Sequence, residues 1–191
     1  RTVRKFITAD VIHPVVSTMM PRNNRFLEEF LRQWCEIKNQ LYRGDAGLQL
    51  SINSTDDDQR KQMFSGNALD LDVISDICDQ LPNPVGRKYA LNFALADGYR
   101  VDASRLANMF DINKFMVKIT PIHKTKSCEE NGIATTNGYE LYTPYRTIEE
   151  ELKVFGFDVL VFIPSLEEDE GLITCGNAIL SGSQPKIIRR A

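Results

Sequence analysis

The sequence has no run near the ~20 apolar residues that a membrane-spanning helix needs. Arg1-Thr2-Val3-Arg4-Lys5 is basic, but no apolar signal core follows it. There is little histidine, only two residues, and a single tryptophan. The four cysteines, Cys35, Cys78, Cys128 and Cys175, lie far apart, so no CxxC metal motif exists. Four cysteines in 191 residues do not make a disulfide scaffold, and reduced thiols in a cytoplasmic protein are expected. Net charge is −3, so no overall field favours nucleic acid, although a local basic patch stays open. The chain opens on Arg1 rather than Met, which points to trimming, cleavage or truncation.

What is present is ordinary globular composition, 42% hydrophobic and 26% charged. This length suits one domain, or part of a larger barrel, that buries roughly 70% of its unfolded surface. No solenoid repeat or low-complexity segment appears. Strand-like and helix-like stretches alternate instead. Residues 14–19, 48–53, 89–95, 115–120 and 157–163 read as strands rich in β-branched and apolar side chains. Between them, 25–41, 69–81 and 103–110 carry helical periodicity. In the first helix Phe26, Phe30, Trp34, Ile37 and Leu41 form the expected core stripe, with Asn24 as cap. Asp56, Asp57 and Asp58 stand where a helix begins and complement its dipole. Thr147 and Glu150 fit a capping box for a helix reaching Val154. Cys78 falls on an apolar helix face and reads as a core thiol.

Strand and helix alternating every 30–40 residues predict parallel βαβ units with right-handed crossovers. In parallel α/β folds, function gathers at the carboxyl ends of the strands. Here those ends carry Ser17-Thr18, Ser51 to Thr55, Ala96-Asp97 and Pro121 to Lys126. Arg100, Arg105, Lys124 and Lys126 form either a local anion surface or separately solvated charges. A polar loop runs from His123 to Tyr142, long for a plain connection. Further on, Cys175-Gly176 lies within Leu172 to Leu180, behind the acidic run Glu167 to Glu170. A thiol on a glycine turn can do covalent chemistry or be a buried structural residue; both readings stay open.

These segments resemble one family in order and spacing, over about 165 residues of the 191. Val16-Ser17-Thr18 resembles the "VSTSG" strand of the radical-SAM adenine-C2 RNA methyltransferases. Leu50 to Arg60 is similar to their "SLHA" strand end and following helix. Leu95-Ala96-Asp97-Gly98 resembles "LLDG", and Lys118 to His123 resembles "VNLIPFN". Thr147 to Val159 looks like the family's last helix and strand, and Cys175-Gly176 falls at "ACGQL". The resemblance implies the C-terminal four or so βα units of a radical-SAM (βα)6 barrel, residues 1–181, with a basic tail at 182–191. It also implies S-adenosylmethionine and a [4Fe-4S] cluster, methylation of adenine C2 in rRNA or tRNA, and Cys175 as methyl carrier. Ser17, Ser51, Ile52, Asn53 and His123 would contact S-adenosylmethionine.

The departures shape the expectation. No CxxxCxxC occurs, so the chain lacks the usual three thiolate ligands of the cluster, and no metal site is assigned to it. The family's "GEP" strand is also absent; both features are expected in a missing N-terminal barrel part. The family's basic segment before its cysteine is replaced by acidic residues up to Glu170, which removes phosphate-binding charge. The alternatives are a relative with a non-RNA substrate, a nucleotide-like ligand module without radical chemistry, or an interaction domain. The fragment alone is expected to be inactive.

Overall fold

The computed structural model describes residues 13–122, 128, 130, 132–134 and 143–163. The strands are β1 (Val15–Thr18), β2 (Gly47–Ser51), β3 (Tyr89–Leu95), β4 (Phe115–Pro121) and β5 (Val159–Val161). The helices are α1 (Leu27–Gln40), α2 (Asp57–Met63), α3 (Leu71–Asp79), α4 (Ala103–Met109) and α5 (Thr143–Val154). All strands are parallel in one sheet of order β1-β2-β3-β4-β5. This is the α/β architecture expected, a partial barrel. Among the described residues no helix is long and apolar enough to cross a membrane.

Strand alternation separates two faces. Leu50, Leu91, Val117 and Val159 stand in one register row. They join a core with Leu31 and Trp34 of α1, Leu71 and Ile74 of α3, Leu106 of α4 and Leu152 of α5. Each large apolar side chain fully buried there is worth roughly 1.5–3 kcal/mol. The opposite face carries a second row, Ser51, Asn92, Lys118 and Leu160, with Ser17 and Gln49 one layer below. That face is polar on β1 and β2 and is covered near β3 and β4 by a small cluster of Ala94, Ile122 and Cys128.

Two helix expectations need correction. In α1, Trp34 is core, but Phe26, Phe30, Ile37 and Leu41 are exposed. The buried face is Leu27, Leu31, Trp34, Cys35 and Lys38. Lys38 is tolerated because its Nζ donates to the Val85 carbonyl at 2.6 Å and lies 5.6 Å from the Tyr89 ring centre. Asn24 does not cap α1 itself; its Oδ1 accepts from Phe26 N–H one residue earlier. The last helix starts at Thr143, not Thr147, because buried Tyr145 lies in its first turn, so Thr147 is interior and no capping box forms there. Elsewhere the expected starts hold: Asp56 caps α2 through Gln59 N–H at 2.9 Å. Cys78 is a core thiol. Cys35, Cys78 and Cys128 are free thiols.

Candidate functional site

The strand exits of β1 and β2 bring together four of the residues singled out in the sequence. Ser17 is exposed on the open face of β1, and Gln49 Nε2 of β2 donates to its Oγ at 3.4 Å. Ser51 lies two residues beyond Gln49 on the same face, in register with Asn92 of β3. Ile52 is fully buried, so its part in any site is limited to its backbone. Asn53 ends the strand in the left-handed region, φ 62°. Asparagine tolerates that conformation better than most side chains.

The Asn53 turn is held from three sides. The N–H groups of Ile52 and Asn53 both donate to the Asn92 carbonyl, at 2.8 and 3.2 Å. Asn53 Oδ1 accepts from Ala94 N–H at 3.0 Å, fastening β2 to β3 beyond the last ladder pair. Arg60 of α2 points its guanidinium under the turn, donating through Nη1 to the Ile52 carbonyl and through Nη2 to Leu69 at 3.2 Å. Arg60 is 2% exposed, and burial pulls its pKa down to about 10. The side-chain amide nitrogen of Asn53 has no partner among the described residues.

A second ring of contacts surrounds the exits. Thr55 Oγ1 donates to the Arg100 carbonyl at 3.2 Å and accepts from Asp102 N–H at 2.9 Å, joining the β2 and β3 exit loops. A cavity of about 360 Å³ lies there, lined by Thr55, Asp56, Arg100, Val101, Asp102 and Arg105. Of the four cations marked in the sequence, the two that are described are paired with carboxylates. Arg100 pairs with Asp56 at 2.6 Å, and Arg105 with Asp57 at 2.6 Å and Asp72 at 3.7 Å. Burial works to raise the Asp57 pKa, but the Arg105 hydrogen bond, the Leu71 N–H and nearby guanidinium charge outweigh it and hold it below the usual range. Asp57 in turn holds Arg105 in its charged form. Lys124 and Lys126 lie outside the described residues.

On the open face Thr120 Oγ1 donates to Asn92 Oδ1 at 3.4 Å. The Lys118 ammonium lies 5.2 Å from the centre of the Phe162 ring. A larger groove, about 560 Å³, lies away from the strand exits, between α1 and α3 on the outer surface. Its walls include Arg25, Glu28, Arg32, Val73 and Asp76. It has no counterpart among the residues the sequence marked.

The other two marked residues, His123 and Cys175, lie outside the described residues, as does the tail at 182–191. Sequence reasoning missed the role of Arg60 beneath the site, since an arginine on a short polar helix reads as solvated. It also missed Asn92, a polar residue inside an apolar strand, which was the available signal.

Neither the protein-family models nor the curated proteins contain a match to this chain. Among solved structures, the crystal structure of a radical SAM methyltransferase from Sphaerobacter thermophilus matches with a TM-score of 0.57 at 18% identity. The match covers 85% of this chain and 43% of that one. The fold is similar to part of a radical SAM methyltransferase. The chain therefore spans less than half the length of its structural neighbour.

The family resemblance in the sequence implies an iron–sulfur cluster and S-adenosylmethionine. The cluster does not fit the described residues, among which no group of three His, Cys, Asp or Glu side chains is placed to hold a metal. The three described cysteines do not converge: Cys35 sits on α1 and Cys78 on α3 inside the core, and Cys128 packs on Ala94 and Ile122. S-adenosylmethionine fits better. Alongside its charged carboxylate, ammonium and sulfonium, its ribose and adenine groups need neutral hydrogen-bonding partners. The hydroxyls of Ser17 and Ser51, and the Asn53 amide nitrogen that has no partner among the described residues, are groups at adjacent strand exits that could supply them.

Proposed function

We propose that this chain is the C-terminal, S-adenosylmethionine-contacting portion of a radical-SAM methyltransferase-like protein, related to the adenine-C2 RNA methyltransferases. The observation that carries the reading is the β1–β2 exit. Ser17 and Ser51 stand on the open face of a parallel sheet, followed by a left-handed Asn53 whose amide nitrogen has no partner among the described residues. The similarity of fold to a radical SAM methyltransferase supports the same reading. In it Ser51 and Asn53 hydrogen-bond the cofactor, Ser17 extends the polar wall, and Ile52 contributes only its backbone. His123 would complete the wall from the exit of β4.

When bound with its cluster, S-adenosylmethionine supplies a radical and a methyl group. The cluster thiolates then belong to a missing N-terminal barrel part, and Cys175 would carry the methyl group. Substrate RNA, rRNA or tRNA, comes from the family resemblance, and a cytoplasmic setting from the cysteine usage of the sequence. The acidic run before Cys175 favours a substrate with less phosphate than the family's own.

A second reading is favoured by the absence of a metal-binding group among the described residues. It is a nucleotide-like ligand module that uses the same exits without radical chemistry.

Calorimetric titration of the 191-residue chain with S-adenosylmethionine tests the shared part of both readings. Saturable binding that Ser51→Ala weakens by about tenfold, the effect of losing one good hydrogen bond, is expected. No binding at millimolar ligand would remove the site. The readings separate on the full-length parent purified without oxygen. Iron and a brown colour, with a methyl adduct on Cys175 by mass spectrometry, belong to the first. A colourless, iron-free parent that still binds S-adenosylmethionine belongs to the second.

A further inference from the structure

The open face of the sheet changes character from β1 to β5. At the β1–β2 end it is polar, with Ser17, Gln49 and Ser51. At the β4–β5 end it carries Lys118, Leu160 and, two residues on, Phe162. Alternation along β5 puts Leu160 and Phe162 on this face, opposite Val159 and Val161, which pack on the core. Both side chains are large and apolar, yet 47 and 42% exposed. Phe162 is held in place: its N–H donates to the Ile119 carbonyl at 2.8 Å, beyond the last ladder pair.

Lys118 stands in register between Asn92 and Leu160. Its ammonium lies 5.2 Å from the centre of the Phe162 ring. Among the described residues no carboxylate pairs with it. Asp158, one row below on the same face, is held by Lys88 at 2.6 Å. Asn92 is 5% exposed; its Oδ1 accepts from Thr120, and its amide nitrogen has no partner among the described residues. This end of the face thus offers a cation without an anion, an amide donor and an exposed apolar pair. A cation over an exposed ring is weakly held, and a carboxylate makes the stronger, charge-assisted bond.

We propose that the β4–β5 end of the open face binds a small aromatic acid, its carboxylate on Lys118 and Asn92 and its ring on Phe162 and Leu160. The charge count sets the class. One cation meets one negative group, whereas a nucleic-acid strand needs a track of several. The spacing sets the shape. Ammonium and ring centre are 5.2 Å apart, so the acid group sits on the ligand's ring or within a carbon or two of it. Offset stacking on Phe162 favours an aromatic ring over a saturated one. With strands about 4.8 Å apart, Lys118 lies about 10 Å from Ser51 along the row. The acid therefore sits beside the proposed S-adenosylmethionine contacts without using them. That it is a methyltransferase substrate rests on the proposed function; that it binds does not.

The test is a titration of the 191-residue chain, followed by backbone amide NMR shifts, with four probes: phenylacetate, phenylacetamide, cyclohexylacetate and adenosine 5′-monophosphate. Phenylacetate should saturate, with shifts gathered at residues 92, 118–120 and 160–162. It should bind at least about fivefold more tightly than phenylacetamide, which lacks the charge, and about threefold more tightly than cyclohexylacetate, which lacks the aromatic ring. Lys118→Met should abolish the first preference and Phe162→Leu the second. If either variant does not fold, the probe series on the wild type decides. No saturable shift at tens of millimolar overturns the proposal, and so does equal binding of the acid and its amide. Tighter binding of the nucleotide overturns the ligand class. Displacement of phenylacetate by S-adenosylmethionine overturns the separate subsite. A fall in Tm on Lys118→Met with no binding of any acid also overturns it, since a carboxylate of the chain itself would then hold the lysine. Calorimetric binding of S-adenosylmethionine to the same sample reads the proposed function separately, so the two can fail independently.

Discussion

Replacing Asn53 separates the two jobs its side chain performs. Its φ of 62° lies where a Cβ-bearing residue costs about 1–2 kcal/mol, less for asparagine. Its Oδ1 also accepts the N–H of Ala94, a buried residue, at 3.0 Å. Asn53→Gly keeps the backbone conformation free of strain but leaves that N–H without its partner, a cost of about 1–3 kcal/mol. Asn53→Ala loses the hydrogen bond and adds the left-handed penalty. The larger unfolded-state entropy of glycine offsets part of the difference, leaving alanine worse by about 1 kcal/mol or slightly less. For a chain of this length each kcal/mol moves Tm by about 2–4 °C. Urea unfolding followed by far-ultraviolet circular dichroism should therefore rank the proteins as wild type, Asn53→Gly, Asn53→Ala. An alanine variant as stable as wild type would refute the account of the turn. An alanine variant more stable than the glycine one would refute the backbone part of it.

Other consequences follow from the same contacts. Asp57→Asn should lower stability at neutral pH and flatten its loss in acid. The folded pKa of Asp57 lies below its ordinary 3.8, so its stabilisation is present above that value and disappears as pH falls through the folded one. Chemical unfolding at a series of pH values between 7 and roughly 2 reads both effects. At the alkaline end, burial raises the pKa of Cys78, and Cys78→Ala separates the thiol from other groups. The wild type should lose stability above about pH 9, where the unfolded thiol ionises and the folded one does not, and the variant should lose less. Gly44→Ala should cost at least about 2 kcal/mol by urea unfolding. Gly44 has φ +95°, and an added Cβ would collide with the Val85 carbonyl. Arg60→Met should cost about 1–3 kcal/mol, because the Ile52 and Leu69 carbonyls both lose a donor.

The strand order was legible because each strand is a short apolar run between turn signals, and parallel crossovers leave little topological freedom. The face of α1 was harder. Phe26, Phe30, Ile37 and Leu41 make as good a helical stripe as the true one and share Trp34 with it. The sequence offers no reason to prefer a buried face containing Lys38, whose burial depends on Val85, 47 residues away. Thr147 and Glu150 satisfied a local capping rule, yet the helix begins a turn earlier with Tyr145 packed against the core. At the candidate site, Ser17, Ser51 and Asn53 were marked by the family resemblance, on strand ends that the apolar runs made legible. Their support was not, since Arg60, Asn92 and the Asp57–Arg105 pair act through contacts between distant parts of the chain. Residues such as Lys38 and Arg60 look solvated in sequence, because only three-dimensional structure supplies the carbonyls that make their burial tolerable.

The most direct test of the central claim is hydrogen–deuterium exchange of the 191-residue chain with and without saturating S-adenosylmethionine. The account predicts slower exchange at residues 49–54 and around Ala94, with the outer groove between α1 and α3 unchanged. Protection confined to that groove, or no protection anywhere, would contradict it.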